Sequence, residues 1–213
     1  MYKANFKFAI FDMDGTLLDT MHAHRTSVVQ YLRNYGLEEL ADELQDEYLF
    51  ISNSKALTAV KPYCEQYGIP VPTIKDLYKI MLKTYEAPPV KPNVKQFLEN
   101  LKMQNVRMCV ISSNAQASAE FALKNAGLDS YFEFILTDER YPKGKHDTEI
   151  FEAALDRLGA KPEETAVFED ALYSIRTAKQ MNMHTVGLSD PFNVKNRDKI
   201  KELVDEYYDV LPS

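Results

Sequence analysis

The chain of 213 residues contains only two cysteines, Cys64 and Cys109, and neither belongs to a Cys-x-x-Cys or Cys/His cluster. That scarcity argues against a zinc ribbon and against a disulfide scaffold. The sequence also lacks a run of about 18 consecutive apolar residues, the length that spans a bilayer as a helix. A chain of this size buries enough apolar surface to fold without covalent or metal cross-links.

Positive charge is also scarce, with 25 Lys and Arg residues against 32 Asp and Glu residues and a net charge of −7. The short basic cluster of Lys143, Lys145 and His146 is too small for a nucleic-acid footprint. The N-terminal residues lead directly into a short apolar run and lack the long hydrophobic region of a secretory signal. These features predict a cytoplasmic protein with neither a nucleic-acid nor a membrane partner.

Five short apolar runs, rich in β-branched or aromatic residues, have the length and composition of buried strands. They cover residues 6–11, 106–111, 134–136, 165–168 and 184–186. From residue 92 onward, amphipathic helical patterns lie between these runs, and two of the patterns end at Gly127 and Gly159. The alternation predicts an α/β fold with a Rossmann-like, three-layer core, in which helices cover both faces of a parallel sheet.

The segment from residue 20 to residue 88 differs, because it shows helical periodicity without a convincing strand and is closed by Pro88 and Pro89. Its stripes comprise Val28, Leu32 and Tyr35, then Ala56, Val60, Tyr63 and Tyr67, then Ile74, Leu77, Tyr78, Met81 and Tyr85. Roughly four helices inserted after the first strand predict a helical cap domain over residues 18–88. The core domain would then comprise residues 1–17 and 89–213.

Four tyrosines of these stripes, Tyr63, Tyr67, Tyr78 and Tyr85, allow two interpretations. Aromatic residues at helical spacing more often pack in a helical core than line a substrate pocket. We therefore expect these four side chains in the interior of the cap.

The sequence Asp12-Met13-Asp14-Gly15-Thr16-Leu17 directly follows the first apolar run. Two carboxylates at the end of a buried strand are costly unless a cation neutralises them. Mg²⁺ suits this pair, because it is a hard ion that prefers oxygen ligands and is usually shared with a phosphate. An ordinary Asp-rich turn is the alternative. An EF-hand calcium loop fits poorly, because Thr16 and Ala23 occupy its fifth and twelfth positions.

This first segment resembles the opening motif of the haloacid dehalogenase superfamily of aspartate-nucleophile phosphotransferases. Three later segments resemble the remaining motifs of that family in the same order: Ser112-Ser113-Asn114, the segment around Lys145, and Glu169-Asp170. The resemblance extends over essentially the whole chain. The insert at 20–88 is similar to the helical C1 cap of phosphoglycolate phosphatases and β-phosphoglucomutases.

The resemblance implies a role for each matching residue. Asp12 would attack phosphorus and form an aspartyl-phosphate, while Asp14 would exchange protons with the leaving group and with water. Mg²⁺ would be held by Asp12, the backbone carbonyl of Asp14 and Asp170, with Glu169 as a direct or water-mediated ligand. The phosphoryl oxygens would be held by Lys145 and Ser112, with backbone N–H groups near Ser113 and Asn114.

Two of these assignments have alternatives. Lys143 competes with Lys145 as the phosphate lysine, because His146 and Thr148 replace the two prolines of the family's third motif. The spacing from Lys145 to Phe151 favours Lys145. Taken alone, Ser112 would more often be a helix N-cap than a phosphate ligand.

Thr20 and His24 belong to a segment that resembles the D-T-x-x-x-H stretch of sugar phosphomutases within the superfamily. A lone histidine early in a helix is usually a surface or packing residue. The mutases also carry a cap arginine, which is missing from Phe50-Ile51-Ser52-Asn53 in this sequence. That absence weakens the mutase interpretation without removing it.

The expected function is thus that of a magnesium-dependent phosphatase acting on a small phosphorylated metabolite, such as a sugar phosphate or phosphoglycolate, through an aspartyl-phosphate. The alternative is a sugar phosphomutase that uses the same intermediate. A dehalogenase is disfavoured, because carbon–chlorine displacement has no leaving oxygen for Asp14 to protonate. A member that only binds a metabolite is disfavoured because Asp12, Asp14 and Lys145 are all present.

Overall fold

The computed structural model describes residues 2–49 and 53–213. The chain divides into two compact units. One comprises Met1–Asp19 and Pro88–Ser213, here called the sheet unit, and the other comprises Thr20–Ala87, here called the helical unit. The described residues do not include Phe50, Ile51 and Ser52, which belong to the segment that lacks the arginine of the mutases.

The sheet unit is built on six parallel strands in the order β3-β2-β1-β4-β5-β6. The strands are β1 Phe8–Phe11, β2 Arg107–Ser112, β3 Ile135–Thr137, β4 Thr165–Glu169, β5 His184–Leu188 and β6 Glu206–Tyr208. Ile10 of β1 is aligned with Cys109 of β2 and Val167 of β4, so β1 lies in the middle of the sheet. The predicted Rossmann-like parallel fold is therefore confirmed.

The helical unit contains α1 Met21–Asn34, α2 Glu38–Tyr48, α3 Asn53–Tyr67 and α4 Ile74–Glu86. Apolar residues of all four helices form its core, including Leu32, Leu44, Val60 and Leu77. The N-terminus of α4 is closed by a capping box between Thr73 and Asp76.

The prediction for the four tyrosines is wrong in two cases. Tyr85 is buried and Tyr63 packs against the core of the helical unit, but Tyr67 and Tyr78 are 47% and 37% exposed. Three- and four-residue spacing defines one face of a helix, but a neighbouring helix covers only part of a wide face. Side chains at the edge of the stripe therefore stay in solvent, as Tyr35 and Ile74 also do.

Five further helices belong to the described part of the sheet unit. They are α5 Val94–Met103, α6 Gln116–Ala126, α7 Glu149–Leu158, α8 Leu172–Gln180 and α9 Arg197–Leu203. Gly127 and Gly159 follow α6 and α7 with φ of 65°, the left-handed conformation that terminates a helix. Both predicted helix stops are therefore confirmed.

Candidate active site

The residues of the sequence motifs lie at the carboxyl ends of three adjacent strands. Asp12 follows β1, and Ser112 is the last residue of β2. Glu169 is the last residue of β4, and Asp170 follows it. Parallel strands deliver their carboxyl ends to the same edge of a sheet. The order β2-β1-β4 therefore brings these side chains to one edge although they are far apart in sequence.

Gly15 allows the loop after β1 to lie directly against Asp170. Its φ of +92° is rarely adopted by residues with a side chain. A Cβ at this position would lie 2.7 Å from Oδ2 and 2.8 Å from Cγ of Asp170, so a methyl group has no room there. The turn closes with a hydrogen bond of 2.8 Å from the backbone N–H of Gly15 to the carbonyl of Leu18.

Asp12, Glu169 and Asp170 form a buried acidic cluster, and an oxygen of each lies within 4.8 Å of the others. Lys145 donates hydrogen bonds to Oδ1 of Asp12 and, over 2.8 Å, to Oε2 of Glu169. Oε1 of Glu169 accepts the backbone N–H groups of Asp170 and Ala171 over 3.1 and 3.0 Å. Oδ2 of Asp12 is buried without a hydrogen-bond partner among the described residues.

The cluster holds more negative charge than Lys145 can neutralise, since three carboxylates face one ammonium group. Burial, and then the neighbouring Glu169, raise the pKa of Asp12 to about 7 against the opposing effect of Lys145. Burial, and then Glu169 and Asp12, also hold the pKa of Asp170 well above its usual range. A divalent cation would balance this excess, and a set of carboxylate oxygens suits Mg²⁺.

The structure distinguishes the two candidate lysines. Lys145 is buried in the turn Gly144–His146, where its carbonyl accepts a hydrogen bond of 2.9 Å from Thr177 Oγ1. Burial acts to lower the pKa of Lys145, but Asp12 and Glu169 outweigh it and raise that pKa, so the side chain is charged. The side chain of Lys143 is 70% exposed and pairs with Asp147 over 2.9 Å. Lys145, and not Lys143, therefore reaches the acidic cluster.

Ser112 and Asn114 form a small network with Asp14. The side-chain amide of Asn114 donates to Oδ2 of Asp14 and, over 3.2 Å, to Oγ of Ser112. The backbone N–H of Asn114 also donates to Ser112 Oγ over 3.2 Å. Helix α6 has Ala115 at its N-cap, so Ser112 does not cap this helix. Ser113, the third member of the motif, is exposed.

Asp138 is a site residue that the sequence analysis did not identify. It follows β3, and its carboxylate lies against Gly144, where an added Cβ would be 2.6 Å from Oδ2. Burial raises the pKa of Asp138, while Ser113 and Lys145 act to lower it. The Asp138 carboxylate thus packs against the turn that carries Lys145. Its position after a strand was the only signal in the sequence that pointed to it.

Thr20 and His24 lie in the helical unit. Thr20 is buried, and His24 Nε2 lies 3.0 Å from the hydroxyl of Tyr85, with the two rings in an edge-to-face arrangement. Tyr85 thus packs against His24 as well as being buried. The roles suggested for Thr20 and His24 remain predictions.

No helix in the described ranges 2–49 and 53–213 has both the length and the apolarity needed to cross a membrane.

Comparison with known proteins places the chain in a family. Residues 9–188 match the family of haloacid dehalogenase-like hydrolases. A phosphorylated carbohydrates phosphatase of Thermotoga maritima is 26% identical over 184 residues, which cover 83% of this chain and 82% of the relative. The pyrophosphatase PpaX of Bacillus cereus is 26% identical over 217 residues, covering 95% and 94% of the two chains.

A solved structure from Thermotoga maritima, provisionally named a β-phosphoglucomutase, superposes with a TM-score of 0.75 at 23% identity. The match covers 95% of this chain and 94% of that chain, so the two proteins share their fold. The family match spans the β1 loop, the end of β2, the lysine turn and the end of β4, which together form the site described above. The chain belongs to the family of haloacid dehalogenase-like hydrolases.

Proposed function

We propose that this protein is a magnesium-dependent phosphatase that hydrolyses a small phosphomonoester through a phosphorylated Asp12. The observation that carries the proposal is the buried cluster of Asp12, Glu169 and Asp170 with Lys145 hydrogen-bonded to two of its members. Burying these charges is costly for the fold, so their retention favours a role in chemistry. The phosphatase and pyrophosphatase names of the relatives agree with that role.

In the first step, a carboxylate oxygen of Asp12 attacks phosphorus, and the ester P–O bond breaks as the O–P bond to Asp12 forms. Asp14 donates a proton to the departing oxygen, which leaves as an alcohol. In the second step, Asp14 takes a proton from a water molecule that attacks the same phosphorus, and the bond to Asp12 breaks. Inorganic phosphate is released, and both carboxyl groups return to their starting states.

Asp12, the backbone carbonyl of Asp14 and Asp170 would hold Mg²⁺, with Glu169 as a further ligand, directly or through water. The unpartnered Oδ2 of Asp12 and the excess negative charge both fit this ion. When bound, Mg²⁺ supplies positive charge that stabilises the negative charge developing on the phosphoryl oxygens.

We assign Lys145 and Ser112 to the phosphoryl oxygens, together with backbone N–H groups near Ser113 and Asn114. The side chain of Asn114 has a separate role: its hydrogen bond to Asp14 orients the carboxyl group that transfers protons. Since the protein carries a net charge of −7, these local donors must attract the anionic substrate.

We propose a sugar phosphate or phosphoglycolate as the substrate class, with Thr20 and His24 contributing to its recognition. The name of the carbohydrate phosphatase relative favours the sugar phosphate. The cytoplasm is the proposed location, since both cysteines are free and buried, as suits a reducing compartment.

A sugar phosphomutase is the second candidate, favoured by the segment Asp19–His24 and by the β-phosphoglucomutase name of a structural neighbour. A mutase must shield its aspartyl-phosphate from water until a sugar hydroxyl arrives. The lack of an arginine at residues 50–53 removes one group suited to binding a second phosphate. Hydrolysis is therefore the favoured outcome.

The decisive experiment measures phosphate release from a panel of phosphomonoesters, with and without Mg²⁺, for the wild type and Asp12→Asn. Inorganic pyrophosphate, a phosphoanhydride, is assayed beside the panel because one relative is named a pyrophosphatase. We expect Mg²⁺-dependent release from sugar phosphates or phosphoglycolate, and a loss of about 10⁴-fold or more in Asp12→Asn. If the wild type releases phosphate from none of these compounds, the proposal is refuted.

Beryllium fluoride tests the nucleophile without turnover, because it mimics a phosphoryl group on a carboxylate. With Mg²⁺ present, it should raise the Tm of the wild type and leave that of Asp12→Asn unchanged. The matched control is Asp147→Asn, which changes a half-buried aspartate outside the acidic cluster that pairs with the exposed Lys143 and accepts the backbone N–H of Glu149 over 3.3 Å. Equal stabilisation of the wild type and Asp12→Asn contradicts the assignment of Asp12.

The mutase alternative is tested with β-glucose 1-phosphate. Hydrolysis predicts release of inorganic phosphate with little glucose 6-phosphate, and only a modest loss of activity in His24→Ala. Rapid formation of glucose 6-phosphate that requires a sugar bisphosphate and is lost in His24→Ala would establish the mutase instead.

A further inference from the structure

Asn193 lies in the turn Pro191–Asn196, between β5 and α9, outside every motif of the sequence. Its side-chain amide donates two hydrogen bonds to one residue, Asp170. One reaches the backbone carbonyl over 3.1 Å, and the other reaches Oδ2 of the carboxylate over 2.5 Å. The amide thus hydrogen-bonds to both the main chain and the side chain of a buried member of the acidic cluster.

Gly15 also lies against the Asp170 carboxylate, since a Cβ there would be 2.7 Å from Oδ2. Asp170 therefore has close contacts with both the β1 loop and Asn193. Repulsion from Asp12 and Glu169 would otherwise turn its carboxylate away from the cluster, because like charges at this separation disfavour one another. Asn193 opposes that rotation.

The turn that carries Asn193 is itself fixed. The backbone N–H of Asn193 donates to the carbonyl of Asp190 over 3.1 Å. The fully buried carboxylate of Asp190 accepts the N–H of Phe192 over 2.9 Å and the ammonium group of Lys91 over 3.2 Å. Lys91 also donates to the carbonyl of Ser189 over 2.9 Å. Asn193 therefore extends from an anchored turn.

We propose that Asn193 is a positioning residue that sets the affinity of the acidic cluster for a divalent cation by fixing the orientation of Asp170. The inference rests on the magnesium site of the proposed function. An amide suits this task, because it donates hydrogen bonds without adding charge. A lysine at the same place would neutralise Asp170 and weaken the attraction of the cluster for the cation.

The test is a calorimetric titration of the metal-stripped, full-length protein with Mg²⁺ and no substrate. Loss of a group that orients a metal ligand typically weakens metal binding by about 10- to 100-fold. We expect the Kd of Asn193→Ala to rise by about 10-fold, that of Asn193→Ser to rise less, and that of Lys195→Ala to stay unchanged. Lys195 is the matched control, because it is exposed on the same turn. At saturating Mg²⁺, kcat of Asn193→Ala should recover.

Circular dichroism and the Tm without metal establish that each variant is folded. Because Asn193 is half-exposed, we expect the variants at this position to fold. An unchanged Kd in folded Asn193→Ala and Asn193→Ser would overturn the proposal, even if the Tm fell. A wild type that binds no Mg²⁺ would overturn it as well. A wild type that binds Mg²⁺ but hydrolyses no phosphomonoester refutes the proposed function alone, because the effect of Asn193 on Kd is still measured.

Discussion

The two units differ in what they bury. All five buried charged residues found in the described chain, Asp12, Lys145, Glu169, Asp170 and Asp190, lie in the sheet unit. In the described part of the helical unit, the buried residues with polar side-chain groups are uncharged: they carry a hydroxyl or thiol group and comprise Thr20, Ser27, Tyr31, Tyr48, Tyr85 and Cys64. The described part of the helical unit therefore has an apolar core with uncharged polar groups, and the sheet unit has an apolar core with a charged edge.

The contrast separates stability from chemistry. Apolar burial stabilises each unit, whereas a buried carboxylate needs a partner to offset its lost hydration. In the sheet unit, Asp190 pairs with Lys91, whereas Asp12 and Glu169 share Lys145 and Asp170 accepts a hydrogen bond from the neutral amide of Asn193. Substitutions in the cluster should thus change activity most, and substitutions in the helical core should change stability most.

Among the substitutions that compare the two units, the largest effect is expected for Lys145→Met, which keeps the length of the side chain and removes its charge. Activity should fall by at least about 10³-fold, because the phosphoryl oxygens lose their cation. The unpaired carboxylates should lower the free energy of unfolding by about 3–5 kcal/mol in the metal-free protein. Steady-state kinetics and urea unfolding measure the two effects.

Lys143→Met is the matched control, because an exposed ion pair such as the one it makes with Asp147 contributes little to stability. Retention of activity in Lys145→Met together with loss in Lys143→Met would reverse the assignment of the two lysines.

Leu77→Ala should show the opposite pattern, with a large effect on stability and a small effect on activity. Leu77 is fully buried in the core of the helical unit, so its truncation should cost about 2–5 kcal/mol of stability. We expect kcat, measured well below the Tm, to stay within about twofold of the wild type, since no charged group of the cluster is altered. Leu82→Ala, at an exposed position of the same helix, is the control for stability. Loss of kcat in folded Leu77→Ala would break the proposed division between the units.

Thr73→Ala tests the capping box of α4 and should destabilise the protein by about 1 kcal/mol. Its control is Thr58→Ala, another exposed threonine of the helical unit, whose hydroxyl donates to the Ser54 carbonyl inside α3. Alanine favours helix at such an interior position, so this control should be neutral or slightly stabilising. Equal Tm shifts in the two variants would show that the capping box has no special effect.

The smallest effect, a change in Tm, is expected for Glu206, a charged residue of the sheet unit outside the acidic cluster. Burial acts to raise the pKa of Glu206, but hydrogen bonds from Tyr208, His184 and Tyr2 outweigh it and hold that pKa below its usual range. A lowered pKa in the folded protein contributes stability at neutral pH, and the contribution disappears as the pH falls through the folded pKa.

Glu206→Gln should therefore lower the Tm more at pH 7 than at pH 4. The control is Glu202→Gln, an exposed glutamate of α9 that should show no such difference. A Tm difference for Glu206→Gln that is the same at both pH values would mean that the carboxylate charge contributes nothing.

The central strands and the acidic motif were predictable from the sequence because both have strong local signals. Buried strands read as continuous apolar runs, and Asp12 and Asp14 directly follow one of them. Strand β6 was missed, because its residues Glu206–Tyr208 are half-buried at the sheet edge and form no apolar run. About four helices were predicted for the insert, but no apolar stripe was assigned to α2, because acidic residues dominate its sequence.

Asn193 was unpredictable for a different reason. Nothing within its own turn distinguishes it from other loop asparagines, and its contact with Asp170 exists only after β4 and β5 have paired. The exposure of Tyr67 and Tyr78 is also a tertiary property, because it depends on which part of a helical face its neighbours cover.

The sheet order also has a consequence for synthesis on the ribosome. Strand β1 is synthesised before the strands that flank it, because Phe8 pairs with Arg107 and Thr165, far later in the chain. Lys145 and Asp12 are separated by 133 positions, so the site has no precursor in a partly made protein. Until β4 has emerged, the nascent chain carries an apolar strand with an open edge, the kind of surface that aggregates or recruits chaperones.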